Sequence, residues 1–79
     1  MDKNEIQKKI IEIISIILKD KVNVNSSRQV HENWDSLKHL EILFAIEDEF
    51  QVNFLEDSLD KLDSIENISK EILTLVDGT

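Results

Sequence analysis

The sequence predicts an all-α fold, a small bundle of three main helices plus one short helix. Proline is absent and the only glycine is Gly78, so no helix breaker interrupts the chain before its end. Isoleucine and leucine recur at spacings of three and four residues, the helical period. Asparagine, aspartate and serine cluster between these periodic segments, where they can turn the chain. Seventy-nine residues predict a single domain, 1–79.

The first helix is predicted over residues 3–19. Asp2, followed three residues later by Glu5, resembles a capping box, and Lys19 suits the negative end of a helix. The apolar face of this helix consists of isoleucines at helical spacing: Ile6, Ile10, Ile13, Ile14 and Ile17. This pattern indicates a helix that packs into the core rather than one that lies on a membrane.

A long connection, residues 20–35, precedes the second helix at 36–50. Trp34 is the expected anchor of this loop on the core, and three valines are expected to assist it: Val22, Val24 and Val30. Leu37 is expected to be the first buried residue of the second helix. The apolar arc of that helix is unusually wide, which fits either contact with several helices or the lining of an internal apolar pocket.

The remaining helices are predicted at 56–61, a short one, and at 64–76. Ser64 or Asp63 can cap the last helix, because both side chains accept hydrogen bonds from free backbone amides. Asp77 and Gly78 are expected to end it.

The net charge of −8 argues against nucleic acid, because a phosphate backbone requires a basic surface. Residues 1–39 contain seven bases and six acids, whereas residues 40–79 contain two bases and eleven acids. This asymmetry suggests a surface for basic protein partners, although acidity also serves solubility. No segment has the ~20 apolar residues of a membrane span, and the N-terminus lacks a signal-peptide pattern. We expect a cytoplasmic protein without membrane insertion.

Asp35 and Ser36 form the motif with the most chemical content. Asp35 is a suitable N-cap, and the Ser36 hydroxyl would lie at the positive end of the helix dipole, where an attached phosphate is favoured. By itself, Asp-Ser at a helix start is a common cap and does not indicate modification.

The wider sequence closely resembles the acyl carrier protein family. The similarity includes Trp34-Asp35-Ser36-Leu37, Leu40-Glu41-Ile42 and the acidic run from Ala45 to Phe50. It continues through Phe54, Glu56, Asp57 and the segment Leu62-Asp63-Ser64-Ile65, so that residues 30–76 are well covered. The resemblance covers residues 3–19 by pattern only.

The resemblance implies a non-catalytic carrier that holds an acyl or aminoacyl group as a thioester on 4'-phosphopantetheine. Coenzyme A would supply this arm, Ser36 would be its covalent attachment point, and Asp35 would support the modification. The implied partners are a phosphopantetheinyl transferase and acyl-loading and acyl-processing enzymes with basic docking patches, which a monomeric carrier serves. The implied partner surface comprises Leu37, Lys38, Glu41, Glu47, Asp48 and Glu49. Residues implied to form the core or an acyl pocket are Leu40, Phe44, Ile46, Phe50 and Phe54.

Three departures from the family pattern bear on the pathway. Asn33 stands where the family often has glycine, and it can still take a left-handed backbone. Trp34 replaces a small residue, and Lys38 replaces an acid. These changes favour a carrier of a specialised biosynthetic pathway over a housekeeping fatty-acid carrier. An unmodified acidic helical adaptor that binds a basic protein is the alternative from a different class.

Two further constellations have simpler interpretations. Ser36 and His39 are one helical turn apart, but no oxyanion hole or third carboxylate accompanies them, so an enzyme is not predicted. His31 and His39 lack the convergent spacing of metal ligands, so no metal site is predicted and both are expected to be solvated surface residues.

Overall fold

The computed structural model describes residues 2–77 and confirms the predicted all-α class. The four helices are α1 (Lys3–Leu18), α2 (Ser36–Phe50), α3 (Glu56–Lys61) and α4 (Ile65–Asp77). The predicted bounds are correct to within one residue for every helix end that is described, and Gly78 lies outside the described residues. The short helix α3 has 3₁₀ geometry, which is frequent in short segments that connect longer helices.

Each main helix begins with a side-chain cap at a predicted position. Asp2 Oδ1 accepts the backbone N–H of Glu5 at 2.9 Å, which forms half of the expected capping box. Ser64 Oγ accepts the backbone N–H of Asn67 at 3.1 Å, so Ser64 caps α4. Asp63 instead accepts the Gln29 side-chain amide at 2.9 Å. Each cap provides a partner for a backbone N–H that the helix itself leaves free.

The core lies between α1 and the two other long helices, because α1 packs against both α2 and α4. Its fully buried members are mainly isoleucines on the inward faces of these helices: Ile6, Ile10, Ile14, Ile42, Ile46, Ile65, Ile68 and Ile72. Leu18, Trp34, Leu43 and Leu62 complete this cluster. No helix within residues 2–77 is both long and apolar enough to cross a membrane.

The connection from α1 to α2 is fixed mainly at its two ends and where it meets α4. Trp34 is buried, as predicted, and Val22 packs partly against the core. Val24 and Val30 are exposed, so their predicted role as anchors is wrong. Backbone hydrogen bonds hold the loop instead, because a β-bridge joins Ser27 to Ser64 beside the start of α4.

Asn33 does not take the left-handed backbone that asparagine permits. Among the described residues, positive φ occurs outside glycine only at Lys19 and Gln51, which follow the ends of α1 and α2. The Asn33 side-chain amide instead donates to the Leu18 carbonyl at 2.6 Å. A carbonyl of the last turn of α1 therefore has a side-chain partner, which ties the far end of the loop to that helix.

Asp20 connects the start of the same loop to His31. Its carboxylate lies 3.0 Å from His31 Nδ1, and it also accepts the backbone N–H of Lys21 at 2.8 Å. The hydrogen bonds from His31 and then Lys21 hold the pKa of Asp20 below its ordinary value of 3.8. A carboxyl group whose pKa is lower in the folded state than in the unfolded state stabilises the fold at pH values above its pKa in the unfolded state. This stabilisation is lost as the pH falls through the pKa of the group in the folded state.

We therefore expect Asp20→Asn to be less stable than the wild type at neutral pH, with a difference that shrinks as pH falls below about 3.8. Urea denaturation across this pH range measures the difference. Glu32→Gln is the matched control, because Glu32 is an exposed acid of the same loop. A stability difference for Asp20→Asn that is constant with pH would contradict the assignment.

Candidate functional site

Ser36 is the first residue of α2, and it is exposed. The preceding residue, Asp35, has an extended backbone and caps the helix, since its Oδ1 accepts the backbone N–H of Lys38 at 2.9 Å. Because Asp35 makes the capping bond, the exposed Ser36 side chain takes no part in capping the helix. An enzyme can therefore reach this hydroxyl without unfolding any part of the helix.

Beneath this turn, Trp34 and His39 hold the start of α2 in place. The Trp34 indole N–H donates to His39 Nδ1 at 3.0 Å, and His39 Nε2 lies 2.8 Å from the Leu59 carbonyl oxygen of α3. Because an indole N–H can only donate and a carbonyl oxygen can only accept, His39 must carry its proton on Nε2. The loop, α2 and α3 therefore meet at one buried ring.

The prediction that His39 is a solvated surface residue is wrong, because only 4% of it is exposed. Both of its ring nitrogens are engaged with Trp34 and Leu59, so it is not placed as a base for Ser36. His31 is also largely covered and lies against Asp20 and Ser26. No group of three or more potential metal-binding side chains occurs in the part of the chain that the structure describes.

Arg28 is the residue at this site that sequence reasoning missed. Its guanidinium Nη2 donates to Ser36 Oγ at 3.0 Å. Arg28 is the only arginine of the chain and lies in the loop, eight residues before Ser36. Contacts across an irregular loop have no fixed spacing, so no sequence signal could have identified this one.

A shallow groove runs from Ser36 to α3. Its lining includes Leu40 and Leu59, together with Arg28, which contacts the serine. Three carboxylates from α3 also line it: Glu56, Asp57 and Asp60. The groove thus offers apolar surface and one cation next to an accessible hydroxyl, within an otherwise acidic surface.

The outward face of α2 is partly apolar, which corrects three expectations. Leu37 was expected to be buried, and Leu40 and Phe44 to lie in the core or an acyl pocket. All three are exposed, to 66%, 40% and 59% respectively. Ile46 is buried as implied, and Phe50 and Phe54 pack partly against the core. The wide apolar arc of α2 therefore has an inward half in the core and an outward half open to solvent.

The acidic residues of α2 differ in their solvent exposure and in their contacts with other residues of the fold. Glu41 and Asp48 are exposed on the same face as Leu37 and Phe44, and we call these four residues the α2 surface stripe. Glu41 also pairs with Lys38 at 3.6 Å. Glu47 is partly buried and accepts the backbone N–H of Phe54 at 2.7 Å, so it shapes the turn after α2.

Glu49 pairs with Lys9 of α1 at 3.5 Å. It lies, with Lys38, on the flank of α2 rather than in the centre of the stripe. The predicted partner residues are therefore not one uniform acidic surface. Leu37, Glu41 and Asp48 lie together, whereas Glu47 and Glu49 have contacts within the fold.

No protein-family model matches this chain, and no curated protein matches it.

Proposed function

We propose that the protein is an acyl carrier protein, which holds an acyl or aminoacyl group as a thioester on 4'-phosphopantetheine attached to Ser36. The observation that carries this proposal is the exposed Ser36 hydroxyl on the first turn of a capped helix, within the Trp-Asp-Ser-Leu sequence that resembles the carrier family. Asp35 would support modification from the cap position. The chain itself would have no catalytic activity.

The residues around Ser36 fit a phosphodiester-linked arm. The hydroxyl oxygen is accessible, and Arg28 places hydrogen-bond donors beside it. In the modification, Ser36 Oγ forms a bond to the phosphorus next to pantetheine in coenzyme A. The bond from that phosphorus to adenosine bisphosphate breaks, and the hydroxyl proton passes to the transferase. The attached arm would supply a terminal thiol on which the thioester forms.

The α2 surface stripe is the best candidate for the partner surface. It begins directly after the attachment residue and combines two apolar side chains with two acids. Such a surface suits a partner with basic residues around an apolar patch, where the apolar contacts contribute affinity and the charges contribute orientation and association rate. The transferase and the acyl-loading enzymes would both have to approach Ser36 from this side.

A specialised pathway remains our preferred setting, with a housekeeping fatty-acid carrier as the alternative. The feature that favours it is Lys38, which follows Ser36 by two residues and whose ammonium group pairs with Glu41. An enzyme adapted to an all-acidic helix would meet a like charge there. The rival class is an unmodified adaptor, which would use the same stripe without any arm.

The intact mass of the protein tests the carrier proposal. Protein incubated with coenzyme A, magnesium and a broad-specificity phosphopantetheinyl transferase should gain the mass of one phosphopantetheine group. Protein that never gains this mass, although a known carrier does so in the same assay, would favour the adaptor.

The stripe gives a separate prediction about modification rate. Asp48→Lys reverses an exposed charge on the stripe, so the transferase should associate several-fold more slowly with this variant at low salt, and the difference should shrink at high salt. Glu12→Lys is the matched control, because Glu12 is an exposed acid of α1. Initial rates measured at a series of salt concentrations give the comparison. Equal slowing by both variants would show that only net charge matters.

A further inference from the structure

We propose that the guanidinium of Arg28 binds the phosphate of the arm attached to Ser36 and thereby sets the direction in which the arm leaves the protein. Arg28 can act in this way only if Ser36 carries the arm, so the inference rests on the proposed function. It adds a binding residue from the loop to a site that otherwise belongs to α2.

The position of Arg28 supports this assignment. Its Nη2 already lies 3.0 Å from Ser36 Oγ, the atom to which the phosphorus would be bonded. The two unesterified phosphate oxygens would therefore be only two bonds away from an atom that Arg28 already contacts. A guanidinium has five N–H donors in a planar fork, and one bond to a hydroxyl leaves donors for these oxygens.

The backbone of Arg28 is fixed, so its side chain extends from a defined point. The Arg28 N–H donates to the Asp63 carbonyl oxygen at 2.7 Å. The Ile65 N–H donates to the Ser26 carbonyl oxygen at 3.1 Å, and the bridge between Ser27 and Ser64 lies between these two bonds. When the backbone is already fixed, binding of a phosphate by the side chain costs less conformational entropy than it would on a mobile loop.

The charges around Ser36 make Arg28 the natural partner for an anion. The groove beside Ser36 contains carboxylates from Glu56, Asp57 and Asp60, and Arg28 is the one arginine or lysine among its lining residues. Among the side chains that the structure describes, which end at Val76, no carboxylate lies within ion-pair distance of Arg28. Lys38, the other base near Ser36, already pairs with Glu41. A phosphate at Ser36 would otherwise face mainly negative charge, and Arg28 offsets it with charge-assisted hydrogen bonds.

The test compares ¹⁵N-labelled protein before and after modification by ³¹P and ¹⁵N NMR spectroscopy. Modification should shift the Arg28 Nε–H resonance, a readout that needs no substitution. In modified Arg28→Gln the phosphorus resonance should differ from that of the modified wild type by more than its linewidth. Arg28→Lys should restore part of this difference, because lysine keeps the charge but loses the planar fork.

Lys38→Gln is the matched control, since it removes the cation two residues after Ser36, whose side chain pairs with Glu41 rather than with the serine. Its phosphorus resonance should be that of the modified wild type. An unchanged Arg28 Nε–H resonance, together with identical phosphorus resonances in wild type and Arg28→Gln, overturns this inference alone. A wild type whose mass never increases overturns the proposed function and this inference with it.

Discussion

Ser36→Ala is expected to abolish attachment of phosphopantetheine and to leave the fold almost unchanged. The variant lacks the only oxygen that could bond to the phosphorus at this position, so no label from coenzyme A should appear in the protein. Asp35 still accepts the Lys38 N–H, so the helix keeps its cap. The lost hydroxyl is exposed and bonds only Arg28 among the described residues, so the free energy of unfolding should change by no more than about 0.5 kcal/mol.

The measurements are intact mass after incubation with the transferase, and urea denaturation of the same samples. Ser58→Ala is the control, because it removes a hydroxyl from the neighbouring helix α3 and should be modified as fully as the wild type. Full modification of Ser36→Ala would place the attachment site on another residue. A large loss of stability would assign Ser36 a structural role instead.

Trp34→Ala should produce the largest loss of stability of any change near the site. Trp34 is 2% exposed, and its N–H is the hydrogen-bond partner of His39 Nδ1. Truncation of a buried tryptophan costs about 3–5 kcal/mol. The free energy of unfolding of a small domain is about 5–15 kcal/mol in total. At the low end of that range, Trp34→Ala would be largely unfolded at moderate urea concentrations. Far-UV circular dichroism during urea denaturation measures the loss.

A second substitution separates the contribution of packing from that of the hydrogen bond. Trp34→Phe keeps an aromatic ring but leaves His39 Nδ1 without its donor, so its cost should be smaller, about 1–3 kcal/mol. Val30→Ala is the control in the same loop, because Val30 is 68% exposed and should change stability by less than about 0.5 kcal/mol. If all three variants lost a similarly small amount of unfolding free energy, Trp34 would not be the anchor of the loop.

The features that the sequence predicted well are those set by neighbouring residues. Helix positions follow from the isoleucine period, and a cap depends on a side chain and an amide only three residues apart. Asp2, Asp35 and Ser64 therefore could be identified as caps without knowledge of the fold. The position of Ser36 on an exposed first turn follows from the same local pattern.

The features that it predicted poorly depend on which elements meet in space. Leu37 and Phe44 are as apolar as the residues of the core, and only the packing of α1 against the other side of α2 leaves them exposed. His39 was assigned to the surface because its partners, Trp34 and a carbonyl of α3, lie on other elements. The contact between Arg28 and Ser36 likewise requires the loop to be anchored beside α4.

The central position of α1 has a consequence for the folding of the chain during synthesis. Its apolar face is covered by α2 and α4, and roughly 60 residues follow Leu18 before α4 ends at Asp77. At about 5–20 residues per second, a ribosome needs roughly 3–12 s to make them. During this interval the isoleucines of α1 lack part of their final covering. The nascent chain should therefore remain sensitive to protease and attractive to chaperones until α4 has emerged, and then become resistant in one step.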